Sequence, residues 1–276
     1  MRVFLWGRWI VGSVFALALM ASAGAQPAKS FKPAVGQSGK DVVWVPTSHA
    51  LVNMMLDMAK AVPGDYVIDL GSGDGRTVIT AAKRGIRALG IEYNPKMVEL
   101  SQRAAAKEGV SDRATFRKAD LFATDLSQAT VITMFLLPEI NLKLRPKILN
   151  LKPGTRIVSN TFTMDDWQAD ETGSAAASED GSEYYRTALL WIVPAKVDGV
   201  WKSELGEFTF KQEFQNFSGA VNVGEVSMLV TGGKIRGDQI SFNAGGTQYS
   251  GKVNGNTIAG NAGSGVGAKS WNANRP

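Results

Sequence analysis

Val67-Ile68-Asp69-Leu70-Gly71-Ser72-Gly73-Asp74-Gly75-Arg76 is the stretch whose reading decides the fold. A short apolar run carries one carboxylate and gives way to three glycines at alternate positions. Apolar residues bounded by glycine predict a buried strand ending in a tight turn. Glycine there accepts backbone angles closed to other residues and leaves bare backbone beside a ligand. Thr77 to Lys83 continues at helical spacing. The turn therefore feeds a helix N-terminus, whose free N–H groups point at the same place.

Working outward gives an alternating series. Upstream, Val42 to Val45 is a short apolar piece ending at Pro46, and Thr47 and Ser48 offer N-caps for a helix over 48–61. Pro63-Gly64 stops that helix. Downstream, strands over 88–92, 114–118 and 131–137 alternate with helices over 95–107 and 142–149. Strands over 156–162 and 187–193 follow with no helix between them and are expected to form an antiparallel edge hairpin. The intervening 165–183, rich in Asp, Glu, Ser, Ala and Gly, has the composition of a mobile insertion. Alternating strands and helices predict an α/β fold, a Rossmann-like, doubly wound and mainly parallel sheet with helices on both faces.

From Gly199 the pattern changes. Segments 207–211, 219–223, 239–242 and 249–253 alternate in polarity, punctuated by Gly and Asn. That predicts a small all-β barrel or sandwich. Trp201 and Trp271 sit near its two ends and are expected to plug them. The expected organisation is a leader at 1–25, a linker at 26–40, the α/β domain at 41–197 and the β domain at 198–276. The leader rests on Arg2 and Arg8, the apolar run Ile10 to Met20 and the small-residue site Ala23-Gly24-Ala25. It predicts export to the periplasm or envelope, or membrane anchoring if the leader is not cleaved. The apolar run is short for a span, so no stable membrane span is expected after its removal.

Composition narrows the chemistry. The 276 residues are 44% hydrophobic and 20% charged, a globular balance. There is no Cys, and His49 is the one His. This excludes a cysteine nucleophile or cysteine metal site, makes a Ser-His-Asp triad or His-rich site a poor reading, and gives the expectation of no metal. His49 reads as a helix N-terminal residue. The net charge is +5, of which Arg2 and Arg8 supply two, leaving +3 without the leader. That is too mild to argue for nucleic acid. Nothing in the pattern fixes an oligomeric state.

Two ligands compete for the glycine turn. A dinucleotide site needs G-x-G-x-x-G/A, and here the third small residue would fall on Arg76. The observed G-x-G-x-G spacing, with Asp69 before it and Asp74 within it, suits the ammonium and sulfonium of S-adenosylmethionine (SAM). Glu92 closes the second strand, where a carboxylate can accept from both ribose hydroxyls. Asp120 follows the third strand, placed to accept from an adenine amino group, with Leu121, Phe122 and Tyr93 around the ring. The expected SAM site comprises Asp69, Gly71, Ser72, Gly73, Asp74, Gly75, Glu92, Tyr93, Asp120 and Leu121. Arg76 reads as an ion-pair partner inside the loop.

Asp69 to Arg76 (DLGSGDGR), Gly90 to Pro95 (GIEYNP) and Phe135 to Arg145 (FLLPEINLKLR) resemble the seven-strand class I SAM-dependent methyltransferases. Within them the chain is most similar to the family of the ATP-synthase c-subunit lysine methyltransferase and its bacterial relatives. Val45-Pro46-Thr47 and Leu151 to Arg156 fit the same pattern, and the resemblance covers about residues 42 to 195. It implies methyl transfer to nitrogen, with a protein lysine as acceptor. It also implies that Thr47 lies near the methionine end of the cofactor and that Pro138-Glu139 presents the acceptor. Glu139 reads either as that orienting carboxylate or as a helix cap. Two other functions stay open, an exported SAM- or nucleoside-binding protein without transfer and an envelope interaction module worked by the β domain.

Overall fold

The structure is a computed structural model that describes residues 1–3, 31–176, 184–263 and 265–275. Most of the expected leader and part of the 165–183 segment lie outside the described residues. All elements below belong to the unit Pro33–Pro276. Among the described residues no helix is long and apolar enough to cross a membrane.

The chain first builds α1 (His49–Met58), β1 (Tyr66–Leu70), α2 (Arg76–Lys83), β2 (Arg87–Glu92), α3 (Pro95–Lys107), β3 (Ala114–Lys118) and β4 (Val131–Met134). It continues through α4 (Pro138–Ile148), β5 (Arg156–Asn160), β6 (Glu171–Ser174) and β7 (Thr187–Ile192). The sheet order is β3-β2-β1-β4-β5-β7-β6. The first five strands are parallel, and β7 runs antiparallel to both β5 and β6. From β1 the chain winds outward to β3, then returns to place β4 on the other side of β1. The crevice between β1 and β4 is therefore the switch point, where open α/β sheets bind ligands at the carboxyl ends of their strands.

Both sheet faces are covered, so the central strands read as continuous apolar runs. Val67, Val131 and Val158 pack with α1, α2 and α3, while Ile68, Ile132 and Ile157 pack with α4. His49 opens α1, where Ser48 Oγ accepts from the Leu51 amide at 3.2 Å. Helix α4 starts at Pro138, four residues before the start expected from periodicity, because proline suits the first helical position.

The expected β5–β7 antiparallel pair is present, but β6 lies outside it as the edge strand. Glu171 to Ser174 is polar and mostly exposed, so no apolar alternation betrayed it. What holds the acidic segment is its start. Trp167 is fully buried, the Trp191 indole donates to its carbonyl at 2.7 Å, and Asp170 accepts from the Ile192 amide at 2.7 Å.

The remaining strands are β8 (Gly199–Ser203), β9 (Gly206–Glu213), β10 (Asn216–Val223), β11 (Val226–Arg236), β12 (Gln239–Ala244), β13 (Thr247–Asn254), β14 (Thr257–Ala262) and β15 (Lys269–Asn274). They close into an antiparallel barrel, which decides between the barrel and sandwich readings. Its core is aromatic. Trp201 and Trp271 are both buried, and Trp271 stacks on Phe208 with ring centres 5.1 Å apart. Glycine enrichment has a steric cause: a Cβ on Gly219 or Gly260 would stand 1.8 Å from a carbonyl oxygen of the neighbouring strand.

The barrel packs against the α/β domain through its β9–β10 turn. Phe214 stacks on Trp167 at 5.9 Å and 13°, and the Arg145 guanidinium lies 5.3 Å from the Phe214 ring centre. Gln215 donates to the Gln168 carbonyl at 2.7 Å, and Arg236 pairs with Glu171. Replacing Phe214→Ala should lower unfolding stability by about 1–3 kcal/mol, because a stacked, half-buried ring is lost. Denaturant titration of the full chain checks this; an unchanged midpoint would mean that the docking contributes nothing.

Candidate active site

A cavity of about 450 Å3 opens along the carboxyl ends of the strands. That volume falls within the range of roughly 300–1,000 Å3 usual for small-ligand sites. The glycine turn forms its floor. Gly71, Gly73 and Gly75 have φ of +74°, +54° and +83°, the left-handed region that favours glycine. The amides of Gly71 and Ser72 donate to the Ile91 carbonyl at 2.9 and 3.0 Å. The Gly73 amide donates to Glu92 Oε2 at 3.0 Å. A Cβ on Gly73 would stand 2.6 Å from Trp44 Nε1, and one on Gly71 would stand 3.1 Å from Leu136.

Gly71, Ser72 and Gly73 line the cavity, but Gly75 does not. Gly75 is the N-cap of α2, and a Cβ there would meet Phe116 and Ser101 at 2.7 to 2.8 Å. The glycine there serves the packing of α2 against Phe116 and Ser101. Ser72 Oγ is buried without a hydrogen-bond partner, over Gly90.

The carboxylates differ in state. Asp69 is buried and accepts from Thr133 Oγ1 at 2.7 Å, across the β1–β4 crevice. Burial, with Asp74 and Glu92 nearby, pushes its pKa up to about 7 against the opposing Thr133 hydrogen bond. Asp74 lines the cavity, but Arg76 Nη2 meets its Oδ2 at 2.7 Å and Arg76 Nε its Oδ1 at 3.0 Å. The ion pair expected of Arg76 is present, and it matches the Asp74 charge that the sequence reading offered to the ligand. Glu92 accepts at both oxygens, from the amides of Gly73 and Asn94 at 3.0 and 2.8 Å. A carboxylate has about four acceptor sites, so two remain.

Asp120 accepts from the Phe122 amide at 2.8 Å and pairs with Lys40 at 3.1 Å. Those two contacts, the amide first, hold its pKa below the usual carboxylate range. Tyr93 and Leu121 line the cavity as expected; Phe122 does not. Lys40 Nζ lies 5.3 Å from the Tyr93 ring centre and 5.8 Å from that of Phe122.

The segment Gln37 to Thr47, whose first four residues were assigned to a linker from sequence, lines one side of the cavity. Thr47 belongs to it; its Oγ1 accepts from Asn160 Nδ2 at 3.2 Å, and its carbonyl accepts from Arg76 Nη1 at 2.8 Å. Pro138 and Glu139 are both exposed in the first turn of α4, directly after the lining residue Leu137, and neither is itself among the residues that line the cavity. Of the two readings of Glu139, the helix-terminal one fits its position, where an acid complements the dipole. Instead, Phe135, Phe162 and Tyr185 line that end. Phe135 lay within the quoted FLLPE motif. Phe162 and Tyr185 carried no sequence signal, since they flank an insertion.

The residues present fit SAM. Three carboxylates stand at the ends of β1, β2 and β3 in spatial succession, over a turn where side chains would intrude, beside an orphaned buried hydroxyl. These features define a class I SAM-dependent methyltransferase. The comparisons agree. Residues 69–171 match the model of the ANTKMT methyltransferase domain. A protein-lysine N-methyltransferase of Saccharolobus islandicus is 41% identical over 155 residues, covering 55% of this chain and 94% of that protein. The human lysine N-methyltransferase of the ATP-synthase c-subunit is 35% identical over 128 residues, but the match spans 54% of its length and 46% of this chain. The crystal structure of an RNA methyltransferase from Salinibacter ruber with S-adenosyl-L-homocysteine aligns with a TM-score of 0.50 and 41% identity, covering 55% of this chain and 96% of that one. The chain belongs to the methyltransferase family of the Saccharolobus enzyme, and its cofactor is SAM.

The buried Asp69 sets a pH dependence. Its folded pKa exceeds the unfolded value of 3.8, so the folded state holds a proton that the unfolded chain has released. Stability contributed by this group therefore falls as pH rises from about 4 to 7. Denaturant titrations at pH 5 and pH 8 should show that loss, and Asp69→Asn should reduce it; an equal slope in the variant would contradict the assignment. Glu92→Ala should weaken SAM binding at least about tenfold, since it strips the turn of its acceptor. Calorimetry reads this directly, and wild-type affinity would exclude Glu92 from the site.

Proposed function

We propose that the chain transfers a methyl group from SAM to the side-chain amine of a protein lysine. The observation that carries the reading is the far end of the cavity. Beyond the switch point it is walled by aromatic rings at Phe135, Phe162 and Tyr185, and Tyr185 is 44% exposed. A side chain reaching in from a protein surface can enter there, and the Saccharolobus and human relatives, both lysine N-methyltransferases, support that acceptor class.

When bound, SAM supplies an electrophilic methyl carbon, which the amine lone pair takes as the carbon–sulfur electron pair stays on sulfur. The chain's own residues position and shield. Glu92 and Asp120 hold acceptors toward ribose and base, Asp69 gives a buried carboxyl whose ionised form a nearby cofactor cation would favour, and the 37–47 segment excludes water from one side. The acceptor's proton leaves to solvent through the open end. The N-terminal pattern further supports export of the enzyme, and N-terminal sequencing of the cellular protein should then find Gln26 as the first residue.

The test is transfer of labelled methyl from SAM, by the full purified chain, onto a cell-envelope extract, followed by mass spectrometry of the labelled species. Label on lysine is expected. Label on RNA would replace the acceptor class, and tight SAM binding with no S-adenosylhomocysteine formed would favour a binding protein.

A further inference from the structure

The rings at the open end of the cavity form a cluster, not a loose lining. Phe135 and Phe162 are stacked with centres 5.9 Å apart and 20° between planes. Tyr185 meets Phe135 edge-on at 5.1 Å and Phe162 at 6.1 Å. They come from three places, the residue after β4, the loop after β5 and the chain entering β7. Strand order puts them on the side of Asp69 opposite to Glu92 and Asp120. One of the three sits on costly backbone, and a second directly follows a residue that does. Tyr185 has φ of +56°, and Thr161, the residue before Phe162, has φ of +61°. Left-handed backbone at bulky or β-branched residues is rare and tends to persist where function requires it. Among the described residues no carboxylate lines the cavity from β4, β5 or β7; its acids are on the 37–47 segment and at the ends of β1, β2 and β3.

We propose that Phe135, Phe162 and Tyr185 form an aromatic ammonium site that seats the acceptor nitrogen and keeps holding it as methyl groups are added. This rests on the amine-acceptor reading above. Ring faces attract cations electrostatically and need no N–H donor from them. A carboxylate would instead bind best the protonated, unmethylated amine and would hold its proton. A ring-lined site lets that proton go and loses no hydrogen bond when N–H is replaced by N–CH3. The site therefore suits an enzyme that adds more than one methyl group to the same lysine. Glu139, outside the cavity, is not needed for it.

The experiment uses the full chain saturated with S-adenosylhomocysteine and two probes. One is Nε-trimethyllysine; the other is its neutral analogue with a tert-butyl group in place of trimethylammonium. Calorimetry should show the cation bound about tenfold more tightly. Tyr185→Leu and Phe162→Leu should bring the two probes to within about twofold, while Tyr185→Phe keeps the preference, since the ring and not the hydroxyl is responsible. SAM affinity should stay near wild type in Tyr185→Leu, which separates this effect from misfolding. Equal binding of both probes to the wild type, binding of neither, or a preference that survives both leucine variants overturns the proposal. Labelled transfer distinguishes the two levels of failure. Label on lysine with no probe preference sinks the aromatic site alone. Label on another acceptor class sinks the amine reading and the site with it.

Discussion

The hydrogen bond from the Gly73 amide to the Glu92 carboxylate is the interaction on which the ligand-facing edge depends. It ties the turn after β1 to the end of β2 and fixes a backbone that only glycine adopts without strain. The same carboxylate takes the Asn94 amide, and Asn94 caps α3 by accepting from the Lys96 amide at 3.0 Å. One side chain thus sets the turn, the strand end and the start of the next helix. The acceptor capacity it keeps faces the cavity. Gly73 is held from the other side as well, since Ser101 Oγ donates to its carbonyl at 3.0 Å.

The cavity is graded along the sheet. At the β3 end, Asp120 carries Lys40 on one oxygen, so that carboxylate is already neutralised by the 37–47 segment. At the centre, Asp69 is dry enough for its pKa to approach neutrality, and Asp74 is matched by Arg76. Toward β5 and β7 the walls become aromatic. Anionic, buried and π-faced regions follow one another in the order of an adenine, a sulfonium and an amine. Arg76 and Asn160 both hold Thr47, so the segment that closes one side is pinned at the sheet centre and at β5.

Much of this was legible in the sequence for a physical reason. The strand–glycine–helix stretch at 67–76 combines a period change with residues that have few other uses. The acids at 92 and 120 fall where parallel strands must end. The rest was hidden because its signal was tertiary. Gln37 to Trp44 has no regular spacing, so Lys40 and Trp44 carry no sign of the cavity until the fold brings them over it. Glu171 to Ser174 is a polar edge strand and does not alternate. Gly75 looks like Gly71 and Gly73 in sequence and differs only in what its missing Cβ would strike. Glu139 lies just past the fourth strand, and the early start of α4 at Pro138 turns it outward.

The barrel gives its own lesson. Its antiparallel β character was readable from alternation and glycine spacing, but its closure into a barrel and its docking through Phe214 and Gln215 onto Trp167 and Gln168 were not. That contact places the barrel on the segment between β5 and β6, which follows Phe162 along the chain. The central claim concerns the cofactor end of the cavity, and the crystal structure of the full chain with S-adenosylhomocysteine tests it most directly. The account requires the ribose hydroxyls within hydrogen-bond distance of Glu92 and the base beside Asp120, with Lys40 displaced or sharing that carboxylate. A ligand seated away from the 71–73 turn, or with its sugar out of reach of Glu92, would contradict it.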